Sequence, residues 1–312
     1  MYNPTFGRLA LWGLTFALAL LPSRAAESIL SSLEFTLQKR VETRPGSGEF
    51  KAVLTKERWD PRKTAIIVCD MWDLHHCHNA VKREAEFAPR MNALLEKARA
   101  SGVFIIHAPS SCMPFYAGHP ARLRAQQATR APNLPPDIGE WCRKLPAEEQ
   151  ARYPLDDTPD ESDDSPEEHR LWAEELAARG VNPKRPWTRQ IDVLKIHDQD
   201  AITDSGVEVW NLLEAQGITG VVLLGVHVNK CVTGRPFGLR QMIKNGRRAV
   251  LVRDLTDSMY NPKCWPYVDH YRGTELFLEH VEKYIGPTIT SDQFLGGAPF
   301  TFRGDPRTKS AK

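Results

Sequence analysis

Thr64-Ala65-Ile66-Ile67-Val68-Cys69 is a continuous apolar run that ends in Asp70, and its reading decides the fold. An unbroken run, rather than an alternating one, predicts a strand buried on both faces, as strands in parallel sheets are. Working outward, Ala88 to Ala100 carries Met91, Leu94, Leu95 and Ala98 at helical spacing and stops at Gly102, and Val103 to Ile106 reads as a second buried strand. The pattern then recurs: strand Val193-Leu194, helix Val207 to Gln216 closed by Gly217, strand Val221 to Leu224, helix Val232 to Lys244 closed by Gly246, strand Ala249 to Val252, and helix Thr274 to Tyr284 closed by Gly286. Strands alternating with crossover-length helices predict an α/β fold: a single three-layer domain, a parallel β-sheet with helices on both faces.

Between the second and third strands lies a long insertion, about 112–190, rich in Pro, Arg and acid, with a helix expected from Glu167 to Arg179 and a place as a roof over the site. Its acidic residues, Asp156, Asp157, Asp160, Glu161, Asp163, Asp164, Glu167 and Glu168, lack the glycine and spacing of an EF-hand and read as a solvated loop. The expected organisation is a signal peptide over 1–25, an extension over 26–62, the domain proper over 63–291 and an irregular tail over 292–312, lying on the surface or reaching a neighbouring subunit. The signal is read from one cation in Met1 to Arg8, the apolar run Leu9 to Leu21, and small residues at Ser23 and Ala25 before a cleavage point. That run is shorter than the ~20 residues needed to span a bilayer, so a secreted or periplasmic protein with no membrane anchor is expected.

With 41 Lys and Arg against 39 Asp and Glu, the net charge of +2 provides no broad basic field, so nucleic acid is not an expected partner and a small-molecule substrate is. The six cysteines, Cys69, Cys77, Cys112, Cys142, Cys231 and Cys264, show no metal-ligand spacing; Cys69 reads as a small buried hydrophobe. In a parallel α/β sheet, functional side chains gather beyond the carboxyl ends of the strands. Asp70 ends the first strand, Lys195 the third, and Cys231 follows the fourth where a helix begins. A helix N-terminus and an ammonium both favour a thiolate, and a carboxylate can take the thiol proton and pass it to a leaving amine.

The segments Ala65 to Asp73 (AIIVCDMWD) and Leu223 to Val232 (LLGVHVNKCV) resemble the first-strand Asp motif and the nucleophile motif of the isochorismatase-like cysteine hydrolase superfamily, which includes nicotinamidases and carbamoyl amidohydrolases. The likeness covers Lys63 to Ser291 apart from the insertion, and the order Asp, Lys, Cys is matched. The resemblance implies Asp70 as base, Lys195 as polarising cation and Cys231 as nucleophile, with hydrolysis of a C–N bond in a small amide, ureide or imide through a thioester. It also implies an oxyanion hole made of the backbone N–H groups of His227 and Cys231, aimed by a cis Val226–His227 bond, with Gly225 easing the turn. A rival arrangement has a trans bond there and the His227 ring as base. Isochorismatase itself lacks the cysteine, so Cys231 points away from that branch.

Two departures bear on the substrate. The lysine is followed by Ile196-His197-Asp198-Gln199-Asp200-Ala201-Ile202 instead of an aromatic, two small residues and Phe, and the nucleophile by Thr233-Gly234-Arg235-Pro236-Phe237-Gly238 instead of Thr-Ala. Arg235 either holds an acidic substrate or sits on the surface of a Gly-Arg-Pro turn. Trp72, His107, Tyr260 and Trp265 are the other candidates for the pocket wall. His107-Ala108-Pro109-Ser110-Ser111-Cys112 has no Asp-x-His, so no catalytic metal and no cofactor are expected, and His75, His76 and His78 read as pocket wall or hydrogen-bonded core. A homo-oligomer is expected. Two competing readings are a non-catalytic secreted binding protein, such as a metal carrier using those histidines and the acidic insertion, and a peroxide-sensing thiol protein, which would need a resolving cysteine near Cys231.

Overall fold

The computed structural model describes residues 1–2, 32–156 and 162–309, and the folded unit it contains is Ser31–Lys312. The expected leader lies outside the described residues apart from Met1 and Tyr2. Among the described residues no helix is long and apolar enough to cross a membrane. In chain order the main elements are β1 (Leu33–Glu42), β2 (Phe50–Trp59), β3 (Thr64–Cys69), α1 (His78–Ala100), β4 (Phe104–Ala108), α2 (Pro120–Gln126), α3 (Pro166–Ala178), β5 (Ala201–Ile202), α4 (Gly206–Ala215), β6 (Gly220–Val226), α5 (Leu239–Lys244), β7 (Arg248–Asp257), α6 (His270–His280) and β8 (Thr288–Ile289).

Every residue of β3 and of β6 is buried, which is why their sequences run apolar without alternation. The sheet order is β2-β1-β8-β7-β6-β3-β4-β5, with β3 to β8 mutually parallel. From β3 the chain winds outward through β4 to β5, then returns to the other side of β3 for β6, β7 and β8. The neighbours β3 and β6 therefore flank the switch point, where the crevice of such a sheet opens beyond the carboxyl ends. Helix α1 lends Phe87, Met91, Leu94 and Leu95 to the core on one face, while Val209, Leu213, Leu239, Met242 and Phe277 from α4, α5 and α6 pack on the other. This is the expected three-layer α/β arrangement.

Three regions depart from the sequence reading. The extension 26–62 contains structure of its own: β1 and β2, ten residues each, form an antiparallel hairpin that joins the sheet through Gln38 opposite Thr288, and Phe35, Leu37 and Trp59 enter the core. Val193-Leu194 is no strand, because the Leu194 N–H turns back to the Ile191 carbonyl; the third parallel strand forms at Ala201-Ile202, opposite Ile106 and His107. The tail is largely exposed but pinned to the domain. Asp254 accepts from Ser291 and from the Phe300 N–H, and Phe300 and Phe302 bring their rings to 6.3 and 6.0 Å from Phe87.

Candidate active site

Asp70 and Cys231 follow β3 and β6, and the pairing of Cys69 with Gly225 sets how closely the two chain segments approach. Gly225 has φ +107°, and a Cβ there would stand 2.0 Å from the Cys69 carbonyl oxygen, so only glycine lets the strands close at this point. Asp70 itself adopts φ +48°, a left-handed conformation that is rare for a residue with a side chain. It turns the carboxyl back over the strand ends, where Oδ1 accepts the Ser110 N–H at 2.8 Å. The Val226–His227 bond is cis.

The cation facing Asp70 is Arg235. Its Nε and Nη2 lie 3.2 and 3.1 Å from Asp70 Oδ2, and the carboxyl is wholly buried while the guanidinium is one-fifth exposed. The Cys231 thiol lies beside both: Asp70 and Arg235 are the charged groups that act on it. Burial, and then the Asp70 charge, push the thiol well above the ordinary cysteine range, against the pull of Arg235. This environment opposes the thiolate that a helix N-terminus and an ammonium would favour. The expected helix Val232 to Lys244 is also interrupted. Cys231 sits in a π-turn, Val228–Val232, and Pro236 and Gly238 delay the regular helix until Leu239, so little helix dipole reaches the sulfur.

Lys195 does not join this group. It is exposed, its Nζ donates to the Asp192 carbonyl at 2.9 Å, and its backbone N–H donates to Asn92 on α1. The cause is the missing strand at Val193-Leu194, which leaves Lys195 on a surface turn several residues before β5. The sequence does hold a clue to Arg235. It stands four residues after Cys231, and its N–H bonds to the Cys231 carbonyl at 3.0 Å, so both side chains rise from one face of a helical turn. Of the two readings of Arg235 from sequence, the surface turn does not hold, because the guanidinium turns inward to pair with Asp70.

The other candidate wall residues separate. Trp72 stacks on Trp187 with ring centroids 4.6 Å apart and donates from Nε1 to the carbonyl of Ser110, the residue whose N–H reaches Asp70. Trp187 is set in place by Asp73, whose carboxylate accepts the Thr188 and Arg189 N–H groups. Trp141 covers Arg235 as a cation–π partner at 4.7 Å, and the Cys142 N–H donates to the Gly234 carbonyl. The insertion thus contributes Trp141 and Trp187 to the surroundings of the site, which sequence reasoning left unnamed.

His107 is core rather than wall, because its ring nitrogens meet Gln190 Oε1 at 3.0 Å and Asp200 Oδ2 at 3.2 Å. Tyr260 is buried and organises its own loop through the Cys264 carbonyl and the Val268 N–H. Trp265 lies under Arg152 at 3.8 Å. No described contact brings Tyr260 or Trp265 to Asp70 or Cys231.

The histidines beyond Asp70 diverge. His75 and His227 are buried 5.0 Å apart, and burial lowers both, His227 to about 3, so neither carries charge near neutrality. The groups acting on His227 are Asp257, Arg83, His76 and His270. His78 instead stacks on Trp172 at 4.4 Å. Nearby, Cys77, Asp163 and Asp164 lie within metal-ligand reach of one another. Their carboxylates are already engaged: Asp163 pairs with Arg83 at 2.7 Å, and Asp164 accepts the His78 and Asn79 N–H groups at the start of α1. Asp163 and Asp164 are hence not part of a solvated loop but a buried clasp from the insertion onto α1, and that engagement gives the metal-carrier reading no support.

No protein-family model and no curated protein matches this chain. Among solved structures it is similar to a cysteine hydrolase from Pseudomonas syringae pv. phaseolicola 1448A, at 18% identity and a TM-score of 0.44 over 76% of this chain and 93% of that one. An isochorismatase-like hydrolase from Alkaliphilus metalliredigens (15% identity, TM-score 0.39) covers 75% of this chain, with 94% of its own length matched. An isochorismatase family protein from Desulfovibrio vulgaris subsp. vulgaris str. Hildenborough (15%, TM-score 0.37) covers 70%, with 90% of its own length matched.

Proposed function

We propose that this chain is an isochorismatase-like cysteine hydrolase that cleaves a C–N bond of a small amide, ureide or imide, with Cys231 as nucleophile, Asp70 as base and Arg235, not Lys195, as the cation. The reading rests above all on one observation: a buried thiol, a buried carboxylate and a half-buried guanidinium meet at the switch point of a parallel sheet. Because the thiol is held protonated, attack and deprotonation proceed together. Asp70 takes the proton as the sulfur bonds to the carbonyl carbon and the C=O pair moves onto oxygen. The N–H groups of His227 and Cys231 are the proposed donors to that oxygen. Collapse restores the C=O, breaks the C–N bond and returns the proton from Asp70 to the leaving nitrogen, leaving a thioester. A water activated by Asp70 then hydrolyses the thioester and regenerates the thiol.

Arg235 serves this cycle because a guanidinium stays charged at every working pH and its planar fork fixes the carboxylate in one orientation. The stacked Trp72 and Trp187 form a flat apolar wall suited to a planar substrate group. Export through the leader 1–25 belongs to the same reading, and amino-terminal sequencing of the protein from its native compartment checks it. The deciding experiment is a released-ammonia screen over small amides, ureides and imides with Cys231→Ala as blank, combined with mass spectrometry of the Cys231 peptide after rapid quench. Turnover with an acyl adduct on Cys231 is expected; turnover that survives in Cys231→Ala defeats the reading.

A further inference from the structure

Among the described residues strand β2 is the edge of the eight-stranded sheet, bonded to β1 alone. Lys51 to Lys56 are exposed without a break, with Leu54 63% and Val53 36% accessible among the described residues. A ten-residue edge of this kind presents a row of unpaired N–H and C=O groups that invites another strand.

Which residues offer those groups follows from the hairpin. The Thr43 N–H donates to the Glu49 carbonyl at 2.8 Å, and the register runs without a bulge from Glu42 opposite Phe50 to Leu33 opposite Trp59. In an antiparallel ladder hydrogen-bonded pairs alternate with non-bonded ones, so Lys51, Val53, Thr55 and Glu57 face β1 with their backbone groups. Phe50, Ala52, Leu54, Lys56 and Arg58 turn theirs to the free edge. The β1 side agrees, since Thr36, opposite Lys56, exchanges bonds with Gln293 rather than with β2.

We propose that this edge is a self-association surface on which β2 of a second copy pairs antiparallel about a two-fold axis at Leu54, making one continuous sheet across the dimer. The sequence is self-complementary in that register. Leu54 meets Leu54, Lys51 meets Glu57 of the other copy twice, Ala52 meets Lys56, Val53 meets Thr55 and Phe50 meets Arg58. All five edge-facing residues then find backbone partners. Moving the axis to Val53 or to Thr55 removes both opposite-charge pairs, so charge selects the Leu54 register.

The test is sedimentation equilibrium of the full chain at micromolar concentration, with folding followed by circular dichroism. Wild type is expected at twice the mass of one chain. Leu54→Pro removes an N–H that points away from β1, so the hairpin survives while the dimer is lost. Leu54→Lys, a surface change, should weaken the dimer as well and covers the case in which the proline variant fails to fold. Lys51→Glu should weaken association, and adding Glu57→Lys should restore it. Leu54→Cys should cross-link across the axis on oxidation. A wild type of single-chain mass overturns the proposal, as does a dimer untouched by Leu54→Lys and Lys51→Glu. A single-chain species whose Leu54 amide resists hydrogen exchange would equally refute it, because the edge would then be covered from within one chain.

Discussion

Replacing Arg235 by Gln tests the site's central pairing, because it keeps much of the side-chain volume while removing the charge. Asp70 is wholly buried, and the guanidinium within 3.2 Å is its counter-charge; the Ser110 N–H adds one neutral donor. Breaking a buried ion pair by removing one partner costs about 3–5 kcal/mol, and since Arg235 is one-fifth exposed the lower end applies. Denaturant unfolding should therefore show a loss of about 3 kcal/mol, roughly a hundredfold in the folded-to-unfolded ratio. Turnover should fall by about 10²–10⁴, because the base is no longer fixed beside the thiol. Lys195→Ala is the contrast: an exposed ammonium bonded to one carbonyl should cost under about 0.5 kcal/mol and leave turnover near normal. Equal loss of activity in both variants, or full activity in Arg235→Gln, would refute the assignment of the cation.

Three further outcomes are expected. Iodoacetamide should modify Cys231 slowly at neutral pH and faster as pH rises past 9, because burial and Asp70 hold the thiol protonated; rapid labelling at pH 7 would contradict this environment. His75 and His227 are buried with lowered affinity for protons, so the unfolded chain binds more protons below its ordinary histidine value of about 6.5. The stability each contributes is full above that value and is lost as pH falls below it, for His227 down toward about 3, at roughly 1.4 kcal/mol per pH unit; unfolding energies that stay flat between pH 6 and 4.5 would exclude it. Glu148, in the insertion, is desolvated by burial, yet His280 and Arg240 hold it down to about 2; Glu148→Ala should destabilise by about 3 kcal/mol, and a change below 1 would show that the insertion is not anchored there.

The chemistry of the site is a consequence of strand order. Asp70 and Cys231 are 161 positions apart in the sequence, yet they follow two strands that lie side by side, so no long side chain is needed to bring them together. Arg235 comes from the same turn as Cys231, and two tryptophans come from the insertion, one laid over Arg235 and one against Trp72.

The parallel core was legible from the residues alone, because strands buried on both faces are written as apolar runs, and β3, β6, the start of β4 and Ala249 to Val252 of β7 are. So was the neighbourhood of Asp70 and Cys231, since residues that end such strands collect at one edge of the sheet. The features that stayed hidden depended on partners far along the chain. Val193-Leu194 looked like a strand until the Leu194 N–H turned back to Ile191, and with that strand went the placement of Lys195. The hairpin of β1 and β2 was illegible because most of β2 is exposed on both faces, so no apolar alternation marks it. Asp163 and Asp164 read as solvated acid because nothing local shows that Arg83 and the first N–H groups of α1 will meet them. Arg235 could be placed beside Cys231 by its four-residue spacing, but only the packing of β3 against β6 brought Asp70 within reach, and that contact made the guanidinium part of the site rather than of the surface.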